Sequence, residues 1–444
     1  MSRRLLHTAG RRVIAAGAVL AAGVVVAACG TTGPSQGTGT SGQGAAAATA
    51  WGLTGGSQAT FDYSQQAWNS AHPSQAISFL YYSNDAYKQK VRVAIGAGSA
   101  PTVFENWGGG QLADYVRSGK VAALTPSVAS AARQRYFPSV LNTAAFDGKL
   151  YGIPVNGTQP VLLYYNKDLF AKAGAQPPKT WNDLLALVGT FKSAGITPIT
   201  LGGGDQWPEL MYLEYLADRI GGPSVFSNIA AGKPDAWSDP AIIRAAAMIQ
   251  QLVKADAFET GYDFVTYDSG ASSALLYTGK SAMQVMGSWD FASIAAADPA
   301  FIAGNKLGWT TFPTVPGGTG NPADIVGNPA NYFSVTTAAS ASAQKTAQDY
   351  LSSEVASDGY VKNLLQNGNV PPVKGLTGQL SAQPHPDWLL FQYNLVKNAP
   401  SYQLSWDQAL PDSAASALLT NLGQLFTEQI TPQQFAAAMN QAGH

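Results

Sequence analysis

Four short stretches of the chain put an indole beside an amide or a carboxylate. "FENWGGGQL" carries Glu105, Asn106 and Trp107; "GGGDQWPEL" carries Asp205, Gln206 and Trp207; "MGSWDF" carries Trp289 and Asp290; "QLSWDQALP" carries Trp406, Asp407 and Gln408. The first three read as strand ends or glycine turns ahead of a helix, the fourth as a late loop. An aromatic face packs against a patch of C–H groups. Hydroxyls both donate and accept, and Asp, Asn and Gln bind them in pairs, the charged acceptor making the stronger bond. A pyranose ring offers both kinds of surface, so these residues suit carbohydrate binding. A phosphate or carboxylate ligand calls instead for Arg or Lys, which the four loops lack. For Trp107, Trp207, Trp289 and Trp406 alike, the alternative use is core packing. Trp51, Trp68, Trp181, Trp237, Trp309 and Trp388 are assigned to packing or surface. Asn84 and Asp85, after "ISFLYY", either meet a ligand or cap the next helix; Asp85 reads as the cap.

Groups that catalyse are harder to assemble. Of four histidines, His7 lies near the start and His444 is last, which leaves His72 and His385, both next to prolines. There is no H-E-x-x-H, and a Ser-His-Asp or zinc site has little to draw on. Gly279-Lys280-Ser281 resembles the end of a phosphate loop, but Ala274 stands where the first glycine belongs and the order is helix-turn-strand. Ser342 and Lys345 fit S-x-x-K without a K-T-G. Matches to G-x-S-x-G at 33–37 and G-x-G-x-x-G at 37–42 have neither strand before nor helix after. Glycoside hydrolysis needs two facing carboxylates, and 27 acids leave such a pair open. The reading is a binding protein rather than an enzyme, with no cofactor and no metal. The alternatives are a secreted glycoside-active enzyme and a binder of a non-sugar solute.

The elements that must position these residues alternate. "ISFLYY" (77–82) reads as a buried strand, and 85–98 as a helix with Tyr87, Val91, Ala94 and Ile95 on one face, ended by glycine. Strands follow at 101–104, 161–165, 281–286 and 306–312, with a strand and Gly turn at "PITLGGG". Thr180 and Asp183 form a capping-box pattern that opens a helix running to Gly195. Past about residue 340 the chain turns mostly helical. Such alternation predicts an α/β architecture with ligands outside the carboxyl ends of strands.

Composition sets the remaining bounds. Net charge is −1 and charged residues make up 12% of the 444, against about 25% in an average soluble protein. No basic stretch follows the amino-terminal region, so nucleic acid has little to hold. The single cysteine, Cys29, excludes an intramolecular disulfide. Residues 1–12 hold four arginines and no acid, and 16 uncharged residues follow, the order of a secretory signal. That run is short of the roughly 20 apolar residues of a membrane-spanning helix. Residues 30–48 are small, polar and uncharged, a flexible tether.

Val26-Ala27-Ala28-Cys29 resembles the lipobox of bacterial lipoproteins, which implies cleavage before Cys29 and lipidation of its sulfur. "DGKLYGIPVNGTQPVLLYYNKDLFAKAG", followed by "PPKTWNDL", resembles the signature of family 1 extracellular solute-binding proteins, the sugar-binding lipoproteins of ABC importers. "PTVFENWGGGQLADYVRSGKVAALTP", "GKSAMQVMGSWDF", "KLGWTTFP" and "GNVPPVKG" fall in that family's order, and the likeness covers about residues 48–440. Thr102 departs from it, standing where many members carry Asp. The resemblance implies a two-lobed periplasmic-binding-protein-like fold with a hinge and an interlobe cleft. It divides the chain into a signal peptide (1–28), a lipidated Cys29 with linker (29–48), one lobe at 49–157 plus 313–356, and a second at 158–312 plus 357–444. Crossings are expected at "YGIPVN", at "LGWTTFP" and near 353–360. Asn156 then lies in the cleft at the first crossing. Asn106 and Trp107 line the first lobe, and Trp207, Trp289, Trp406 and Asp407 the second. Asn84, Glu105 and Asp205 complete the expected ligand set. Its partners are a di- or oligosaccharide of xylobiose-like type, ABC permease subunits and a lipid anchor on the extracellular face of the cytoplasmic membrane, with the protein a monomer.

Overall fold

The structure, a computed structural model, describes residues 47–442 apart from position 356. The expected signal peptide, Cys29 and the linker up to residue 46 lie outside the described residues.

Two six-stranded sheets organise the chain. In the first, the order is Ile77–Tyr82, Ala48–Leu53, Val103–Asn106, Tyr332–Thr336 and Val121–Ala122, with Ile153–Pro154 beside Tyr332–Thr336. The first three run parallel, Ala50 opposite both Phe79 and Val103. Tyr332–Thr336 returns antiparallel, with Tyr332 opposite Asn106. In the second sheet the order is Tyr402–Leu404, Ile325–Asn328, Gln159–Asn166, Ser281–Gly287 and Thr197–Thr200, with Leu307–Thr310 also on Gln159–Asn166. Each sheet carries helices on its faces, which makes two α/β lobes.

Local chemistry explains where elements begin and end. The helix Asn84–Ala97 stops at Gly98, whose φ of 70° suits a residue without Cβ. Its N-cap is Ser83, and Asp85 sits inside the first turn instead of capping. Asn166 caps Lys167–Ala173 by accepting from the N–H groups of Asp168 and Leu169. The Thr180 and Asp183 side chains and backbones pair reciprocally to open Trp181–Ser193. Thr102 exchanges bonds with Thr49, each backbone N–H reaching the other's Oγ1 at 3.3 Å, and so fastens two neighbouring strands.

The chain passes between lobes three times. It leaves the first sheet after Ile153–Pro154 and enters the second at Gln159. It returns between Asn328 and Tyr332, because Ile325–Asn328 still pairs with Gln159–Asn166. The crossing expected at 312/313 is therefore displaced: "LGWT" is a strand of the second sheet, paired to Gln159–Asn166 with Thr310 opposite Leu163. The third passage follows the helix Asp358–Gln366, which packs on Gln58–Ala71 of the first lobe and donates from Tyr360 Oη to Val155 O at 2.6 Å. The assignment of 357 onward to the second lobe fails there for the same reason. Among the described residues no helix is long and apolar enough to cross a membrane.

Candidate functional site

A cavity of about 530 Å³ opens between the lobes, lined from both, within the roughly 300–1,000 Å³ of small-molecule sites. It lies where strands of both sheets end: Leu53 and Thr54 after one, Ser83 and Asn84 after the next, Trp107 after the third, Trp289 and Asp290 after Ser281–Gly287.

The second lobe supplies an aromatic wall. Trp207 and Trp289 stand with ring centroids 6.1 Å apart at 49°, and Tyr267 meets Trp207 edge-on at 5.3 Å. Trp289 lies flat against Gly287, where a Cβ would come within 1.9 Å of the indole; only glycine lets the ring fold back over its own strand. Opposite, Trp107 of the first lobe packs edge-on to Tyr87 at 6.1 Å. Lys88 Nζ stands 5.1 Å from the Trp107 ring centre and 3.1 Å from Asp407 Oδ2 of the second lobe.

Amides and carboxylates floor the cavity at the crossings. Asn331 donates through Nδ2 to Glu105 Oε1 at 2.7 Å, and its backbone N–H donates to Asn156 Oδ1 at 2.7 Å. Leu53 N–H occupies the other oxygen of Glu105 at 2.8 Å. Burial outweighs both bonds and pushes the Glu105 carboxyl up to about 7. Asp290 accepts from Ser273 Oγ at 2.9 Å, and burial pushes it too up to about 7. Asp268 Oδ2 accepts the Asp85 N–H from across the cleft at 2.9 Å.

Further contacts join the lobes beside the cavity. Arg92 Nε lies 3.2 Å from Asp412 Oδ2, and Gln111 Nε2 donates to Asp412 Oδ1 at 3.1 Å. Asp85, Lys88 and Arg92 thus present one face of their helix to Asp268, Asp407 and Asp412. Gly109 and Gly110 open the helix Gly109–Arg117 and approach the carbonyls of Gln408, Ala409 and Leu410.

Seven of the ten residues expected from sequence line this cavity: Asn84, Glu105, Trp107, Asn156, Trp207, Trp289 and Asp407. Three do not. The Asn106 side chain donates to Tyr332 O and Ser334 Oγ and accepts the Gly108 N–H, so it fastens two strands. Asp205 accepts the N–H groups of Tyr267 and Asp268 at 2.7 and 2.9 Å; it shapes the loop that reaches the cavity. Trp406 is fully buried, stacked on Phe226 at 4.6 Å and edge-on to Trp237 at 5.8 Å, with Nε1 donating to Gln403 Oε1. Its neighbours Ser405 and Asp407 face the cavity while the indole serves the core of the second lobe. Lys88, Gln159, Asp268, Asn328 and Asn331 line the site without having been expected. Asn328 and Asn331 sit in "GNPAN", which reads only as a turn. Among the described residues, no three of His, Cys, Asp and Glu gather to hold a metal ion.

The profile of the family described as bacterial extracellular solute-binding protein matches residues 51–356. The chain belongs to that family. A probable sugar-binding periplasmic protein of Mesorhizobium japonicum is 27% identical over 241 residues, 51% of this chain and 52% of that one. An ABC transporter extracellular-binding protein of Pyrococcus horikoshii is 25% identical over 245 residues, 54% of each. The chain therefore spans about half the length of the curated relatives it matches. A solved structure from work on xylan utilisation by Caldanaerobius polysaccharolyticus superposes with a TM-score of 0.80 at 30% identity, over 89% of this chain and 99% of that one.

Proposed function

We propose that this chain is the sugar-capturing subunit of an ABC importer, taking a di- or oligosaccharide of xylobiose-like type between its lobes and delivering it to permease subunits. One observation carries the reading: indoles from both lobes face a single cavity whose remaining lining is rich in amides, hydroxyls and carboxylates. Stacked rings meet the C–H faces of a pyranose and the polar rim meets its hydroxyls. The sugar-binding name of the Mesorhizobium relative and the xylan context of the Caldanaerobius structure support the substrate class.

The mechanism is hinge closure. A sugar that touches Trp107 on one lobe and Trp207 and Trp289 on the other gains its full set of contacts only when the lobes meet. It therefore shifts the population toward the closed form by that difference in contacts. The closed shape is the message to the permease, and ATP is used by another subunit. The protein acts as a monomer, tethered outside the cell through lipidated Cys29. Cys29→Ser should release it into the medium, and mass spectrometry of the native amino terminus should find the lipid.

The decisive experiment is a thermal-shift and calorimetric screen across xylo-, cello-, chito- and raffinose-type sugars, since a ligand of the native state raises Tm. The expected outcome is micromolar binding with the sugar recovered intact. Products in the mixture overturn the binding reading in favour of a glycoside-active enzyme. Silence toward every sugar overturns the substrate class.

A further inference from the structure

The charges around the cavity are one-sided. Among the described residues four carboxyl groups line it, Glu105, Asp268, Asp290 and Asp407, and Lys88 is the only Lys or Arg that does. That one cation is already engaged. Its Nζ is held by Asp407 of the opposite lobe at 3.1 Å, with the two side chains 20% and 7% exposed. A ligand anion that recruited Lys88 would take it from a contact that joins the lobes.

We infer that the site selects by charge within the carbohydrate class: it takes neutral or amine-bearing oligosaccharides and rejects those bearing a uronic acid, with Asp268, Asp407 and the withheld Lys88 as the residues that decide. The inference rests on the sugar-binding reading above. Its physics is the cost of placing a carboxylate among like charges in a partly enclosed space. At a separation of about 7 Å and an effective dielectric of about 20, one like-charged pair weakens binding about 50-fold. Glu105 and Asp290 add less repulsion than Asp268, because burial pushes both carboxyls up to about 7, so the like charge a uronate meets rests on Asp268 and Asp407. An ammonium group, by contrast, finds two carboxylate acceptors on the second lobe, Asp268 and Asp407.

The test compares matched sugars on the mature protein by calorimetry. Xylotriose is set against xylotriose carrying one 4-O-methylglucuronosyl branch, cellobiose against cellobiouronic acid, and N,N′-diacetylchitobiose against chitosan dimer. The expected result is that each uronate binds at least about 50-fold more weakly than its neutral parent. The amine-bearing dimer is expected to bind at least as well as its acetylated counterpart. The uronate penalty should narrow as NaCl rises from about 50 to 500 mM, because mobile ions screen the lining charges. Asp268→Asn should shift the uronate-to-neutral ratio about tenfold toward the uronate. Uronates that bind within threefold of their parents, or a ratio indifferent to both salt and Asp268→Asn, overturn the inference and leave the sugar-binding reading standing. If none of these sugars binds, both fall together.

Discussion

Gly110 should govern how closely the lobes meet. It sits in the first turn of Gly109–Arg117 on the first lobe, facing backbone of the second. A Cβ there would stand 2.7 Å from both Ala409 O and Leu410 O and 2.8 Å from Leu410 C. Ordinary contact begins at 3.4 Å, and backbone atoms have no rotamer to escape into, so the second lobe must retreat by at least 0.7 Å, the difference between 3.4 and 2.7 Å. Gln111 and Asp412 are joined at the same place. Overpacking of this kind costs about 1–3 kcal/mol. The cost falls on the docked lobes alone, since inside the first lobe a helix prefers Ala to Gly by roughly 1 kcal/mol. Gly110→Ala should therefore weaken sugar binding about 5- to 150-fold while the Tm of the free protein falls little. Gly96→Ala is the control: it lies exposed on Asn84–Ala97 with nothing within 4 Å of the added carbon. It should leave Kd unchanged and add up to about 1 kcal/mol of stability. Calorimetry with the tightest sugar from the screen, beside denaturant melts of both variants, reads the outcome. If Gly110→Ala binds as tightly as the parent, the glycine is not a docking requirement and the reasoning fails.

Other substitutions separate binding from folding. Trp207→Ala and Trp289→Ala should each lower sugar affinity at least about tenfold by titration, from the lost stacking, and leave a cooperative melt. Trp406→Ala should instead destabilise by about 3–5 kcal/mol, read as a lower denaturation midpoint. Glu214 is buried with Oε1 accepting from Ser405 Oγ and Trp406 N–H, and burial pushes it up to about 8 from an ordinary 4.5. The native state then binds a proton that the unfolded chain releases, so stability falls as pH rises from about 4.5 to about 8. Glu214→Gln, neutral throughout, should flatten the slope of Tm between pH 5 and 8. Lys88→Met should weaken binding of an uncharged sugar several-fold. Arg92→Gln, whose pair with Asp412 is 48% and 33% exposed, should change it less than about twofold. Both are read by calorimetry at 50 mM salt.

What the sequence discloses is what neighbours along the chain decide. Thr180 and Asp183 spell a helix start, Gly98 a helix stop, and "ISFLYY" is a strand to the residue. The Trp-plus-polar pattern picks out Trp107, Trp207 and Trp289, which stand at strand-to-helix turns and line the cavity. It fails at Trp406, where the same words are written but the indole turns toward Phe226 and Trp237. Nothing local says which side of the chain an isolated indole takes. The displaced crossing has a similar origin: "LGWT" is plainly a strand, yet its partner Leu163–Asn166 lies far upstream. Asn328 and Asn331 gain their place from the return between sheets, a tertiary fact invisible in a turn-like pentapeptide.

The strand Tyr332–Thr336 sits between Val103–Asn106 and Val121–Ala122. As the polypeptide leaves the ribosome, the first lobe thus waits more than 200 residues, from 122 to 332, for the strand that closes its sheet. Until then Val103 and Phe104 have an unmade edge beside them, and early compaction of that half would trap an incomplete sheet. Contacts so distant along the chain make folding slow. Refolding of the first lobe is thereby tied to completion of nearly the whole second lobe's strand set, so neither half of the molecule can finish its sheet independently of the other.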